Sequence, residues 1–175
     1  MALEMENIRL FCEVIGAIAI VISLVYLGIQ VSDSARAVRS ETANSSSTSM
    51  SNWYVSVGSD KEASRIVFNG FTAPSQLDRL ETAQFIYLIH GLFLEYQAAY
   101  YSSVQGTLDV EMQESLTNTI LGVRELPGVE LYWSQREVVF KPSFREFASK
   151  LLKTGKTNSV SKLYELAESL EDGNA

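Results

Sequence analysis

The chain has 175 residues, 21 of them acidic and 14 basic, for a formal net charge of −7. That balance excludes a nucleic-acid partner, which needs a basic stripe over its phosphates, and it disfavours peripheral binding to anionic lipid. One cysteine, Cys12, and one histidine, His90, leave no disulfide framework within a chain and no Cys/His zinc site.

Residues 1–13 (MALEMENIRLFCE) form a short acidic leader. Residues 14–32 (VIGAIAIVISLVYLGIQVS) carry no charge and are almost wholly apolar. As a helix they span about 28 Å, close to the ~30 Å of a bilayer core. A cleaved signal peptide would need a basic leader, a shorter apolar run and a small-x-small site. The leader is acidic, the run is too long, and Gln30-Val31-Ser32-Asp33 is a poor cleavage site. The expectation is a retained transmembrane helix. Arg9 precedes it and Arg36 and Arg39 follow, which places the N-terminus outside and the main domain in the cytoplasm.

Cys12, Gly16, Ala19, Ser23 and Gln30 recur at spacings of four, three, four and seven, which is one helical face. Ile15, Ile18, Val21, Ile22, Val25 and Ile29 form the other, suited to lipid. Small and polar residues in a membrane favour close approach of a second helix. The first face is therefore expected to pack on a copy of this chain or on another membrane protein.

Residues 33–58 read as a membrane-proximal helix or a Ser-rich linker. The stretch ETANSSSTSMSN (41–52) is linker-like in composition, but it lacks Gly and Pro. Val38, Thr42, Met50, Trp53 and Val57 fall near one helical face, so a long helix ending at Gly58 is the preferred reading.

Residues 59–155 read as a helical bundle. Ser59-Asp60-Lys61-Glu62 predicts a capped helix ending at Gly70, and Asp78-Arg79-Leu80-Glu81 a second start after Pro74. Phe85, Leu88, Ile89, Leu92, Phe93, Tyr96, Ala99 and Tyr100 then repeat at 3/4 spacing up to Gly106. Tyr87, His90, Leu94, Gln97 and Tyr101 make a second, mixed stripe, as expected of a central helix. A helix from Asp109 to Val123 follows, with Met112, Leu116, Ile120 and Val123 inward. Another is expected over Val129–Phe140, and one from Pro142 to Thr154. Residues 156–175 read as a C-terminal amphipathic helix with an acidic tail. The fold class is all-α: one N-terminal transmembrane helix followed by a helical-bundle domain.

Three stretches, YLGIQVSDSARAVRS, EYQAAYYSSVQGTLD and PGVELYWSQREVVFKPSFREF, resemble a widespread group of uncharacterised bacterial single-pass membrane proteins. The resemblance covers roughly residues 10 to 153. It implies a bacterial inner-membrane location and no known activity, so no catalytic residue carries over.

The chain shows no P-loop, GxSxG, HExxH, dinucleotide or Glu-x-x-His pattern. His90 lies among large apolar residues, five positions from Glu95, and reads as a hydrogen-bonded core or interface histidine. Glu95, if buried, would need one of Arg65, Arg124, Arg136 or Arg145 as counter-ion. Tyr132 and Trp133 read as core or as membrane-belt residues. No catalytic, cofactor or metal site is expected. The leading expectation is a non-enzymatic inner-membrane protein that self-associates or serves as an accessory or scaffold subunit of a larger membrane assembly, with the lipid bilayer as its other partner. One alternative is a ligand-sensing or signalling module with a bundle pocket near Tyr87, His90 and Tyr101. Another is a small homo-oligomeric channel using Ser23 and Gln30.

Overall fold

A computed structural model describes residues 2–154; the expected C-terminal amphipathic segment, 156–175, lies outside them. Among the described residues the chain is helical with no strand. It divides into two units after Glu41. One helix, α1 (Ala2–Gly58), supplies the whole of the first unit and the start of the second, so the Ser/Thr-rich stretch is helical.

In the first unit, every described side chain from Met5 to Glu41 is exposed, including the row of Val, Ile and Leu from Val14 to Val31. This helix is long and apolar enough to cross a membrane, and none of its apolar window is buried.

In the second unit, Met50 and Val57 of α1 are buried, with Ala43 and Trp53 packed against the same core. The bundle therefore takes in residues 42–58 and does not begin at 59. The Trp53 indole N–H donates to the Leu88 carbonyl at 2.9 Å, fastening α1 to the central helix. Next come α2 (Lys61–Thr72), a 3₁₀ turn (Pro74–Gln76), α3 (Arg79–Val104), α4 (Val110–Val123), α5 (Pro127–Arg136), a 3₁₀ turn (Glu137–Val139) and α6 (Pro142–Thr154).

Local chemistry sets most of these bounds. Asp60 caps α2, its carboxylate accepting from the Ala63 amide at 2.8 Å. Asp78 and Glu81 complete a reciprocal capping box on α3: Asp78 accepts from the Leu80 and Glu81 amides, and Glu81 accepts from the Asp78 amide. Such a box satisfies amide donors that a helix start leaves without partners. Gly106 follows α3 at φ +72°, a conformation that suits a residue without Cβ.

Two elements differ from expectation. The helix from residue 61 does not stop at Gly70 but runs on to Thr72. Gly70 is instead a crossing point. A Cβ there would drive into the Phe85 ring, and a Cβ on Gly128 would meet the Gly70 carbonyl and lie 2.7 Å from the Phe71 Cα. The α2 and α5 backbones thus touch directly. The second difference is the helix expected through Phe140, which ends at Arg136 and tightens into a 3₁₀ turn. After this turn Phe140 is extended (ψ 154°) and Pro142 keeps Lys141 out of the α conformation, so the chain does not run on as helix into α6.

The core gathers Ile66, Val67 and Phe71 from α2, Phe85, Ile89, Leu92, Phe93, Tyr96 and Ala99 from α3, Leu116 and Ile120 from α4, Val129, Tyr132 and Trp133 from α5, and Phe140, Phe144 and Ala148 around α6. Tyr132 and Trp133 are thus interior residues and not a membrane belt.

The glycine crossing gives a direct test. Gly128→Ala should destabilise the protein by about 2–3 kcal/mol, because backbone atoms, unlike a rotatable side chain, cannot move out of the way. Gly58→Ala, facing open space, should cost nothing. Chemical denaturation of both variants in detergent checks this; equal stability of the two would refute the crossing.

Candidate functional site

The apolar helix of the first unit and the bundle of the second each carry a distinct surface. On the helix, Cys12 is a free, exposed thiol. Gly16 faces open space. The Ser23 hydroxyl donates to the Ala19 carbonyl at 2.8 Å, one turn back, so it is satisfied within the helix without a partner. Ala19 and Gln30 are exposed like the rest.

In the bundle, α3 distributes its second stripe in three directions. His90 is half-buried, its Nδ1 2.9 Å from the Tyr132 hydroxyl, and its ring lies 5.3 Å from Phe140. Tyr132 is fully buried, and burial holds its phenol well above the ordinary range. Burial first, and the nearby Arg136 guanidinium second, hold His90 below its ordinary 6.5. In the neutral ring protonated at Nε2, the phenol donates to Nδ1. A proton on Nδ1 would reverse that bond and strand the phenol hydrogen inside the core.

Tyr101 reaches the first turn of α6, its hydroxyl 2.7 Å from Ser143 Oγ and its ring beneath Lys141 Nζ at 4.8 Å. Gln97 accepts from the Lys141 amide at 3.1 Å. Tyr87 points outward and is exposed. Glu95, like His90, is only partly buried, so it does not demand a buried counter-ion. Arg65 pairs with Glu62 and Glu81, and Arg124 with Glu125.

A cleft of about 400 Å³ opens elsewhere, between the end of α4, α5 and α6. Val129, Trp133 and Leu152 form apolar wall, and Arg124, Glu130, Glu137, Ser149 and Lys153 bring polar groups. Its floor is fixed: the Trp133 indole donates to Ser149 Oγ at 3.1 Å and stacks on Phe140 at 5.6 Å. Tyr87, His90 and Tyr101 do not line this cleft, nor the small one beside Tyr96 and Phe147. Sequence reasoning passed over the larger cleft. The available signal was Glu130, Trp133, Ser134 and Glu137, spaced as one face of α5 and mixing an aromatic with acids.

Among the described residues no cluster of His, Cys, Asp and Glu could hold a metal ion. No family model, curated protein or solved structure matches the chain.

The His90–Tyr132 contact predicts a pH dependence. The folded protein holds His90 below its unfolded value, so the unfolded chain binds the proton more readily. The resulting stability is complete above about pH 6.5 and declines as pH falls through and below that value. His90→Asn keeps an acceptor near Nδ1 but cannot titrate. Thermal melts at pH 7.5 and pH 5 should show a smaller acid loss for this variant than for the wild type; parallel losses would remove His90 as the cause.

Proposed function

We propose that the chain is a non-enzymatic, single-pass inner-membrane protein that self-associates or serves as an accessory subunit of a larger membrane assembly. The observation that carries this reading is the bare helix of the first unit. Nineteen consecutive uncharged residues, 14–32, lie between Glu13 and Asp33, and none of the apolar surface is covered. Exposing so many Ile, Val and Leu side chains to water would be strongly unfavourable, at about 25 cal/mol per Å². Lipid removes that cost.

The small and polar side of this helix, Gly16, Ala19, Ser23 and Gln30, supports a neighbour in the membrane. The intrahelical bond of Ser23 makes Gln30 the side chain with most to gain from one. The Arg36 and Arg39 pair supports a cytoplasmic bundle and an outside N-terminus. The resemblance to bacterial single-pass proteins supports the bacterial inner membrane.

The cleft between α5 and α6 favours a second reading, a ligand-sensing module. Its volume and its mixture of Trp133 with Arg124 and Lys153 suit a small polar ligand with a flat apolar part.

Two measurements test the main reading. Ile18→Arg with Val21→Arg should release the chain from alkali-washed membranes, where the wild type stays. Light scattering in mild detergent should give a particle holding more than one copy or a co-purifying membrane protein. A soluble wild type, or a lone monomer, would overturn it. A thermal-shift screen addresses the second reading, since a ligand raises stability by mass action; the rise should vanish in Arg124→Ala.

A further inference from the structure

The outward side of α3 is an exposed helix face with little charge. Leu80, Tyr87, Leu94 and Tyr101 recur every seven residues, and so do Gln84, Gly91, Ala98 and Gln105, offset by four. Leu80, Tyr87 and Leu94 are 76, 69 and 44 % exposed, and Gly91 faces open space. From Thr82 to Gln105 the only charge is Glu95, in a chain where one residue in five is charged. A solvated helix face normally carries charge. This one carries an uncharged heptad seam.

We propose that this seam pairs with α3 of a second copy, the two helices running antiparallel about a two-fold axis near residues 92–93. The inference rests on the reading of the chain as a self-associating membrane protein and names the surface in its bundle. The seam complements itself in only one direction. Antiparallel, each large position faces a smaller or flexible one: Tyr87 meets the second copy's Ala98, Leu94 its Gly91, Leu80 its Gln105, and Tyr101 its Gln84. Parallel, Tyr87 would face Tyr87 and Gly91 would face Gly91, which alternates collision with void. Knob-into-hole packing selects the first arrangement. An isologous contact also requires that one patch fit its own copy.

The charge pattern agrees with this pairing. Two copies of a chain at −7 repel, so a contact between them belongs where charge is absent. Antiparallel helices also set each macrodipole against the other favourably. The seam is about 39 Å long over the 26 residues of α3. At roughly one helix width it covers several hundred Å² per copy, less than the ~800 Å² of a standard interface. Confinement to one bilayer raises the effective concentration and offsets the modest area. A straight helix drifts about 20° per heptad from such a repeat. The drift brings Tyr101 round toward Ser143, so the central contacts are those of residues 87–98.

Cysteine crosslinking in the full-length protein tests this directly. In a Cys12→Ser background, Tyr87→Cys with Ala98→Cys should oxidise to a disulfide-linked dimer, while either alone should not, because each faces the other residue across the axis. Strong crosslinking of the single variants would mean a parallel pair and would overturn the proposal. No crosslinking, with light scattering still giving two or more copies, would overturn it while leaving self-association in place through another surface. A one-copy particle would overturn both. Leu94→Glu places two carboxylates near the axis on an exposed position. It should weaken self-association at least about tenfold with helicity unchanged; unchanged association would refute the seam.

Discussion

The ring of Phe93 meets Tyr132, Trp133 and Phe140 at centroid distances of 4.8, 5.4 and 6.1 Å, and these contacts bind α5 and the turn before α6 to the central helix. Phe140 passes the contact on to Phe144 at 5.4 Å, and Tyr100 receives Phe144 and Phe147 at 5.8 and 4.8 Å. A continuous run of rings thus joins three helices. Aromatic pairs add about 0.5–1.5 kcal/mol each beyond the area they bury. They also fix geometry: His90 can reach Tyr132, and Trp133 can reach Ser149, because the rings beneath them are already placed.

The other fixed point is backbone against backbone. With Gly70 on α2 and Gly128 on α5, those helices meet without side chains between them. Phe85 fills the space above Gly70, and Phe71 lies against Phe85 edge to face at 5.4 Å. The bundle is therefore tight at its α2–α5 end and aromatic at its α5–α6 end. The cleft lies along α5 toward α6, where large rings leave wider gaps than glycines do.

Much of this is legible in the sequence. The 3/4 repeat of Phe85, Ile89, Leu92, Phe93, Tyr96 and Ala99 marked the buried face of α3, since only one side of a helix can meet a given layer. Asp78 and Glu81 marked its start, and Gly106 its end, because both are local chemistry. Gly70 misled, because a glycine that stops a helix and one that lets helices touch have the same letter; the difference lies in Gly128 and Phe85, distant in sequence. The 3₁₀ turn at Glu137–Val139 was not legible, since Pro142 restricts only Lys141 before it. Tyr132 and Trp133 were ambiguous between core and membrane edge because their amphipathic rings suit both. Of the cleft only one wall was legible, the face of Glu130, Trp133, Ser134 and Glu137; the others come from helices whose crossing no local pattern encodes.

Two exposed apolar surfaces among the described residues differ in texture. Residues 14–32 expose mainly β-branched Ile and Val on one side, smooth and without hydrogen-bonding groups, as hydrocarbon requires. The outward side of α3 mixes Leu and Tyr with Gln, Gly and Ala, and its tyrosine hydroxyls and glutamine amides would be costly in lipid. Those same groups suit the seam between two protein helices, where large side chains need gaps and polar tips can stay wet at the rim. The absence of charge is common to both surfaces, and the texture separates them. The chain thus carries two uncharged apolar surfaces of different texture. The uncharged stretch at residues 14–32 accounts for the first, and only the heptad repeat of α3 accounts for the second.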